Sequence, residues 1–360
     1  MIQEDIEKFE KPKVLNPKLI KRGIIIFIVI TIITFLGIFF YTNTGNTVEV
    51  WQMADWRYLL LGLVFIFNDL FLGGLRNHIF IRQFVPGISQ MVSIKANLAN
   101  IFMGAITPSQ SGGGPAQWYI FYRNGVALSD IIGTTLYNWV STIIFFPISG
   151  YFALRVLQDK MPDGFILYLT QFGFSVFSSL LVVICIALFA PAVIQFIINS
   201  IANALGRIKA SWGDRLSRLG VDGIAKIKEY KGKYVGLIQK KPHLMLFSFL
   251  LTVALYFNKY LLAYVLVLAF GLTADFWTVI AIQAVLYLLL YFSPSPGGSG
   301  IAEVSISVLM ATVIATDFIA PFTLLYRSFL IFIPALIGSY VILNQSLSHI
   351  IKEVPQRSTR

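Results

Sequence analysis

Four ionisable side chains lie in sequence that is otherwise hydrocarbon-rich: Asp69, Lys259, Glu303 and Arg327. A charge at membrane depth costs at least about 2.5–3.5 kcal/mol, so such groups face a cavity or a partner. Lys259 and Arg327 are the residue types that hold a phosphate-bearing head group, the guanidinium by bidentate hydrogen bonds and the ammonium as a point charge. Asp69 and Glu303 are the types that pair with them or carry protons. Asn258 stands beside Lys259 as a neutral donor and acceptor. Purely structural pairing, such as Glu303 with Arg327, is the competing reading.

Two Gly/Pro-rich stretches supply a second kind of chemistry. Thr107-Pro-Ser-Gln-Ser-Gly-Gly-Gly-Pro-Ala-Gln117 aligns without gaps on Ser293-Pro-Ser-Pro-Gly-Gly-Ser-Gly-Ile-Ala-Glu303, with identity at Pro108, Ser109, Gly112, Gly114 and Ala116. A helix broken at membrane depth exposes backbone N–H and C=O groups that hydrocarbon cannot satisfy, so they line a cavity or hold a polar ligand. Helices starting just after Gly114 and Gly300 would aim positive dipole ends inward and favour an anion. Gly112, Gly113, Gly114, Gly297, Gly298 and Gly300 would let a ligand approach the backbone closely. Corresponding breaks in two halves of a chain point to a transporter site. Tight loops in a plain helical bundle are the alternative.

The elements that must position these groups follow from composition. Of 360 residues, 57% are hydrophobic and 12% charged, and the mean hydropathy is +0.76. A soluble domain averages about 25% charged residues. Apolar runs occur at about 22–41, 57–75, 92–106, 131–154, 165–198, 243–270, 276–293 and 318–345. Crossing the hydrocarbon takes about 20 residues. The expected fold is an all-α polytopic membrane protein with about six full spans and two re-entrant hairpins. Loop charges set the sides. Residues 42–55, 271–275 and 315–317 hold no Lys or Arg and fall outside, whereas the N-terminal tail and the 199–242 segment, with ten Lys/Arg, fall inside. On this count 92–130 enters and leaves from the cytoplasm and 276–314 enters from outside, giving an inverted-topology repeat. The division is a cytoplasmic tail 1–21, a membrane domain 22–345 and a cytoplasmic tail 346–360. Within the membrane domain, the repeats span about 56–157 and about 243–345.

The 199–242 segment spaces Ile201, Leu205, Ile208, Trp212, Leu216 and Leu219 as an amphipathic basic helix suited to a membrane surface. Arg76, Arg82, Lys95 and Arg123 read as cytoplasmic interfacial residues that contact head groups. Asn97, Asn100 and Asn138 are further candidates to line the cavity, and Trp118 to Tyr122 read as interfacial aromatics. A net charge of +11 is accounted for by the inside loops and by anionic lipid, with no need of nucleic acid. The one cysteine, Cys185, and the scattered His78, His243 and His349 give no metal set, and no catalytic or cofactor motif occurs. Neither an enzyme's active site nor a cofactor is expected.

The stretch from Pro294 to Glu303, Pro-x-Pro-Gly-Gly-x-Gly-x-x-Glu, resembles the signature of the lysylphosphatidylglycerol synthase transmembrane region, a flippase-like family. The Pro108–Pro115 tip and the Arg76/Asn77 end of the second helix look like that family's first-half elements. The resemblance covers about 22–345 and implies lipid transport across the cytoplasmic membrane of a prokaryote; the loop charges put both termini in the cytoplasm. It also implies a phospholipid, aminoacyl-phospholipid or polyprenyl-linked glycolipid as substrate. In the best-known members a separate cytosolic domain makes the lipid. This chain, which ends about 15 residues after its last span, is expected to lack that domain. A separate lipid-synthesising enzyme is then a natural partner, and homo-oligomerisation stays open. Two other readings remain: a phosphatidylglycerol lysyltransferase-related enzyme or its membrane subunit, and a non-transporting accessory protein of envelope lipid synthesis.

Overall fold

A computed structural model describes residues 16–41, 47–158, 160, 164–189, 191–209, 211–212 and 236–353. The described residues form helices and connecting turns, with no strand among them. They are α1 (Pro17–Tyr41), α2 (Thr47–Gln52), α3 (Trp56–Phe84), α4 (Gln90–Ile106), α5 (Gly113–Arg123), α6 (Leu128–Leu157), α7 (Gly164–Phe189), α8 (Pro191–Ile208), α9 (Gly236–Lys240), α10 (His243–Ala269), α11 (Phe276–Leu290), α12 (Ile301–Met310), α13 (Thr316–Arg327) and α14 (Ile333–Glu353).

Helices starting at Pro17, Trp56, Leu128, His243 and Thr316 are long and apolar enough to cross a membrane. The chain is an all-α polytopic membrane protein. The sixth expected span is α7, of 26 residues, whose described apolar stretch is Thr170–Val183. Two expected runs are subdivided. Pro191, which has no N–H to donate, opens α8 and splits the 165–198 run. A π-turn, Ser328–Phe332, splits the final run directly after Arg327. Most of the basic segment, 213–235, lies outside the described residues; of the rest, the start belongs to α8 and Gly236–Lys240 forms α9, and Lys209 Nζ lies 5.7 Å from the Trp212 ring.

α1 is apolar around its whole circumference and mostly exposed, with Ile25, Ile28, Ile32 and Phe40 open to the surroundings. That arrangement suits a lipid environment. α11 is equally apolar but buried, every residue from Thr278 to Leu286 lying inside, so it forms the central post. α3 packs along α10 and α4. The α3–α4 crossing is close because Gly73 and Gly74 carry no Cβ, which would meet Asn97 and Ile94 at under 3 Å.

Two helical pairs are short. α4–α5 and α11–α12 each consist of an arm of 15 or 17 residues, a 3-10 turn, and an arm of 10 or 11. At about 1.5 Å per residue, the second arms reach only about 15–17 Å. The turns, Pro108–Gln110 and Pro296–Gly298, touch each other, and the Ser109 N–H donates to the Pro294 carbonyl at 3.1 Å.

Candidate functional site

The two tips are alike in backbone but in a register different from the gapless sequence alignment. Each begins with an extended residue, Thr107 or Ser295, followed by proline at the start of a 3-10 turn. Two left-handed residues come next: Ser109 and Gln110 (φ +50°, +55°) in the first tip, Gly297 and Gly298 (φ +56°, +72°) in the second. The following helices start at Gly113 and Ile301. Pro108 therefore corresponds to Pro296, two residues beyond the identity match with Pro294. Left-handed backbone strains Ser109 and Gln110, at about 1–2 kcal/mol each, and is free for the glycines.

That shift separates Gln117 from Glu303, which the alignment pairs. Glu303 is the third residue of α12, close enough for its Oε2 to accept the Gly300 N–H at 2.6 Å. Gly300, at φ +88°, has no side chain to answer, so only half of a capping box forms. The other oxygen, Oε1, accepts from Arg327 Nε at 3.0 Å, and both residues are almost fully buried. Arg327 Nη2 also donates to the Gly297 carbonyl at 3.0 Å and to Ser299 Oγ at 3.3 Å. The structural pairing of Glu303 with Arg327 thus exists, and it ties the second tip to the π-turn. Gln117, the fifth residue of α5, joins a neutral chain instead. Asn100 Nδ2 donates to Gln117 Oε1 (2.7 Å), and Gln117 Nε2 and Asn138 Nδ2 both donate to Asn77 Oδ1 (3.0 and 2.9 Å). Ser248 Oγ donates to Asn138 Oδ1 at 3.2 Å, carrying the chain across to α10.

A cavity of about 250 Å³ lies beside the tips. Of the residues singled out from sequence, Lys259, Arg327, Gly297, Gly298 and Asn100 line it. Lys259 Nζ is 2.5 Å from Asp69 Oδ1, so this pair is also preformed, with side chains 17% and 12% exposed. Asp69 and Asn258 stand behind Lys259 and are not on the cavity wall; Asn258 accepts from Asn68 and donates to the Phe65 carbonyl.

Several expectations are corrected here. Gly112, Gly113, Gly114 and Gly300 do not line the cavity. A Cβ on Gly112 or Gly113 would strike Thr107 or Asn100, so these two glycines serve the close packing of the first hairpin. Glu303 is enclosed by its partners and is also off the wall. Arg82, Lys95 and Arg123 are exposed, but Arg76 is not interfacial: its guanidinium is inside the bundle, donating to the Asn138 carbonyl and to Thr142 Oγ1. Phe121 and Tyr122 are buried, and Trp118 donates to Thr135, so this stretch packs the bundle rather than forming an interfacial belt.

Sequence reasoning missed four phenols on the wall: Tyr256, Tyr287, Tyr291 and Tyr326. Tyr256/Tyr260 and Tyr287/Tyr291 recur at helical i,i+4 spacing, which was the available signal. Beside this cavity an apolar groove of about 490 Å³ runs between α1 and α14, lined by Phe27, Ile28, Phe35, Phe332 and Leu336. Phe332 belongs to the groove, and the Arg327 guanidinium lies 6.0 Å from its ring, so polar cavity and apolar groove adjoin at Arg327. Among the described residues no group of His, Cys, Asp or Glu could hold a metal ion.

Fold and cavity together define a class: a polytopic helical membrane protein with two interrupted helical hairpins meeting beside a cation-lined cavity. The family model of the lysylphosphatidylglycerol synthase TM region matches residues 24–338, and the chain belongs to that family. It is similar to a UPF0104 membrane protein of Archaeoglobus fulgidus, 24% identical over 309 residues that cover 85% of this chain and 90% of that protein. A UPF0104 membrane protein of Pyrococcus horikoshii is 23% identical over 336 residues, covering 90% and 97% respectively.

Proposed function

We propose that this chain moves the phosphate-bearing head group of a membrane lipid across a cytoplasmic membrane, through the cavity between its hairpin tips. The observation that carries the reading is the meeting of the two tips, joined from Ser109 to Pro294, beside a cavity lined by Lys259 and Arg327. Two cations with donors to spare suit a phosphate ester, and Asn100, Gln110 and four tyrosines add neutral polar groups to a wall that is otherwise apolar. The adjoining apolar groove suits the tails of the same amphiphile. The family, named for the membrane region of a lipid-modifying enzyme, is in keeping with a lipid ligand. In this reading the hairpins enter from opposite sides of the membrane as an inverted repeat, with both termini cytoplasmic.

Head-group translocation in proteoliposomes tests it, with a panel of labelled phospholipids and polyprenyl-phosphate lipids. Wild-type protein is expected to move at least one of them, and Lys259→Ala to abolish that movement while still inserting. Equal movement by Lys259→Ala would remove the cavity from the mechanism.

A further inference from the structure

Three cations lie inside the described bundle. Lys259 and Arg327 each have a carboxylate; among the described residues Arg76 has none. Its Nη2 donates to the Asn138 carbonyl and, at 2.5 Å, to Thr142 Oγ1, while its Nε is buried without any partner. A guanidinium has five donors and does not deprotonate in proteins, so it cannot escape burial by becoming neutral. The residue is half-buried, and two neutral acceptors leave its charge without a carboxylate among the described residues. The site therefore holds a cation with donors unused and no carboxylate of its own.

The location says what would use those donors. Arg76 is seven residues beyond Asp69, about 10 Å along the same face of α3. Arg76 is not on the wall of the cavity that holds Lys259 and Arg327, but its acceptors Asn138 and Thr142 lie on α6 beside two residues that reach that wall: Phe146, which lines it, and Trp139, which bonds Tyr291. The Tyr291 hydroxyl accepts from Trp139 Nε1 at 3.0 Å, and these two side chains are 39% and 38% exposed, so this end of the cavity reaches the outside of the bundle between α6 and α11.

We infer that Arg76 is a second anion station beside the cavity, taking a phosphate group near its Tyr291 end as Lys259 and Arg327 take it at the hairpin tips. The inference rests on the lipid-transport reading and gives it a path: two cationic positions separated by phenol rings, one at the flank of the bundle and one at the tips. A phosphate group, free or esterified, matches the fork of the guanidinium, which the Thr142 bond leaves only partly used.

The test is calorimetric titration of the full chain in detergent with dihexanoyl phosphatidic acid, inorganic phosphate and dihexanoylglycerol, the last as a ligand without phosphate. Arg76→Gln is expected to weaken phosphatidic acid binding at least about tenfold, as is Lys259→Ala. Thr142→Asp, which places an internal carboxylate beside the guanidinium, should weaken it as much and does not depend on tolerating loss of Arg76. Thr142→Val, which cuts only the tether to α6, should stay within about threefold of wild type. A merely structural Arg76 predicts the reverse, with Thr142→Asp harmless to binding. Inorganic phosphate binding with the same Arg76 dependence would mean that the phosphate group alone suffices; dependence seen only with phosphatidic acid would mean that the tails are needed too. Wild-type affinity in Arg76→Gln and Thr142→Asp, with loss in Lys259→Ala, overturns this inference and leaves the transport reading standing. No preference of the wild-type protein for phosphatidic acid over dihexanoylglycerol overturns both.

Discussion

Removing one charge of the Glu303–Arg327 pair should cost more than removing both. The two groups are 1% and 3% exposed. Glu303→Gln keeps the shape of the side chain and leaves Arg327 bonded to the Gly297 carbonyl and Ser299, but takes away its counter-charge. Breaking a buried pair from one side costs about 3–5 kcal/mol, because the remaining charge is uncompensated. Arg327→Leu strands the carboxylate with only the Gly300 N–H, at a similar cost. The double variant carries no buried charge. It loses the hydrogen bonds of the guanidinium, worth about 0.5–1.5 kcal/mol each, and leaves an amide to cap Gly300. Its total should be about 2–3 kcal/mol, well below the sum of the singles, which gives a coupling of at least about 3 kcal/mol. Reversible unfolding by sodium dodecyl sulfate in mixed micelles, followed by circular dichroism, measures all four corners of the cycle. Single effects that simply add, to within about 0.5 kcal/mol, would refute the claim that each charge exists inside the bundle by virtue of the other.

Three further outcomes are expected. Gly297→Ala should destabilise by at least about 1 kcal/mol in the same assay, since φ is +56° and the new Cβ would lie 2.8 Å from Phe27 and 2.9 Å from the Ala105 carbonyl, whereas Gly87→Ala, with open space around it, should be neutral. The exposed Asp275 carboxyl, held down to about 2 by the Thr278 hydroxyl and by Lys160, contributes stability above its unfolded value of about 3.9 that is lost as pH falls toward 2. Asp275→Asn should flatten the stability profile between about pH 4 and 2 and leave the acid end unchanged. In a Cys185→Ser background, Gly87→Cys and Thr273→Cys, in the turns leading into α4 and α11, should react with an impermeant thiol reagent from opposite faces of the membrane; labelling of both from one face would break the inverted arrangement.

The breaks and the charges were legible because both violate what hydrocarbon tolerates: Pro108, Pro296 and the glycines interrupt apolar runs, and Asp69, Lys259, Glu303 and Arg327 interrupt them chemically. The pairings were less so. Asp69 and Lys259 are 190 residues apart, and a single sequence carries no sign of which carboxylate meets which cation. Register was misjudged at the tips because identity and conformation diverge there: Ser109 and Gln110 take the left-handed backbone that Gly297 and Gly298 take in the other half. Arg76 was read as interfacial because the apolar run thins near residue 75, yet α3 continues to Phe84 and Arg76 turns in, half-buried, to bond Asn138 and Thr142 of α6. The amide chain through Asn77, Gln117 and Asn138 joins three helices, and neutral polar residues in separate runs give no hint of a common partner.

The bond between the tips runs from the Ser109 amide to the Pro294 carbonyl, backbone to backbone. Every amino acid brings a carbonyl, and every one but proline brings an N–H. Side-chain substitution therefore has almost no purchase on this join: of the twenty residues, only proline at position 109 deletes it. What restricts composition at the tips is therefore packing, as at Gly297, Gly112 and Gly113, and not the bond that joins them. Position 109 itself can change side chain without any substitution at position 294 having to answer it, because neither side chain takes part in the join.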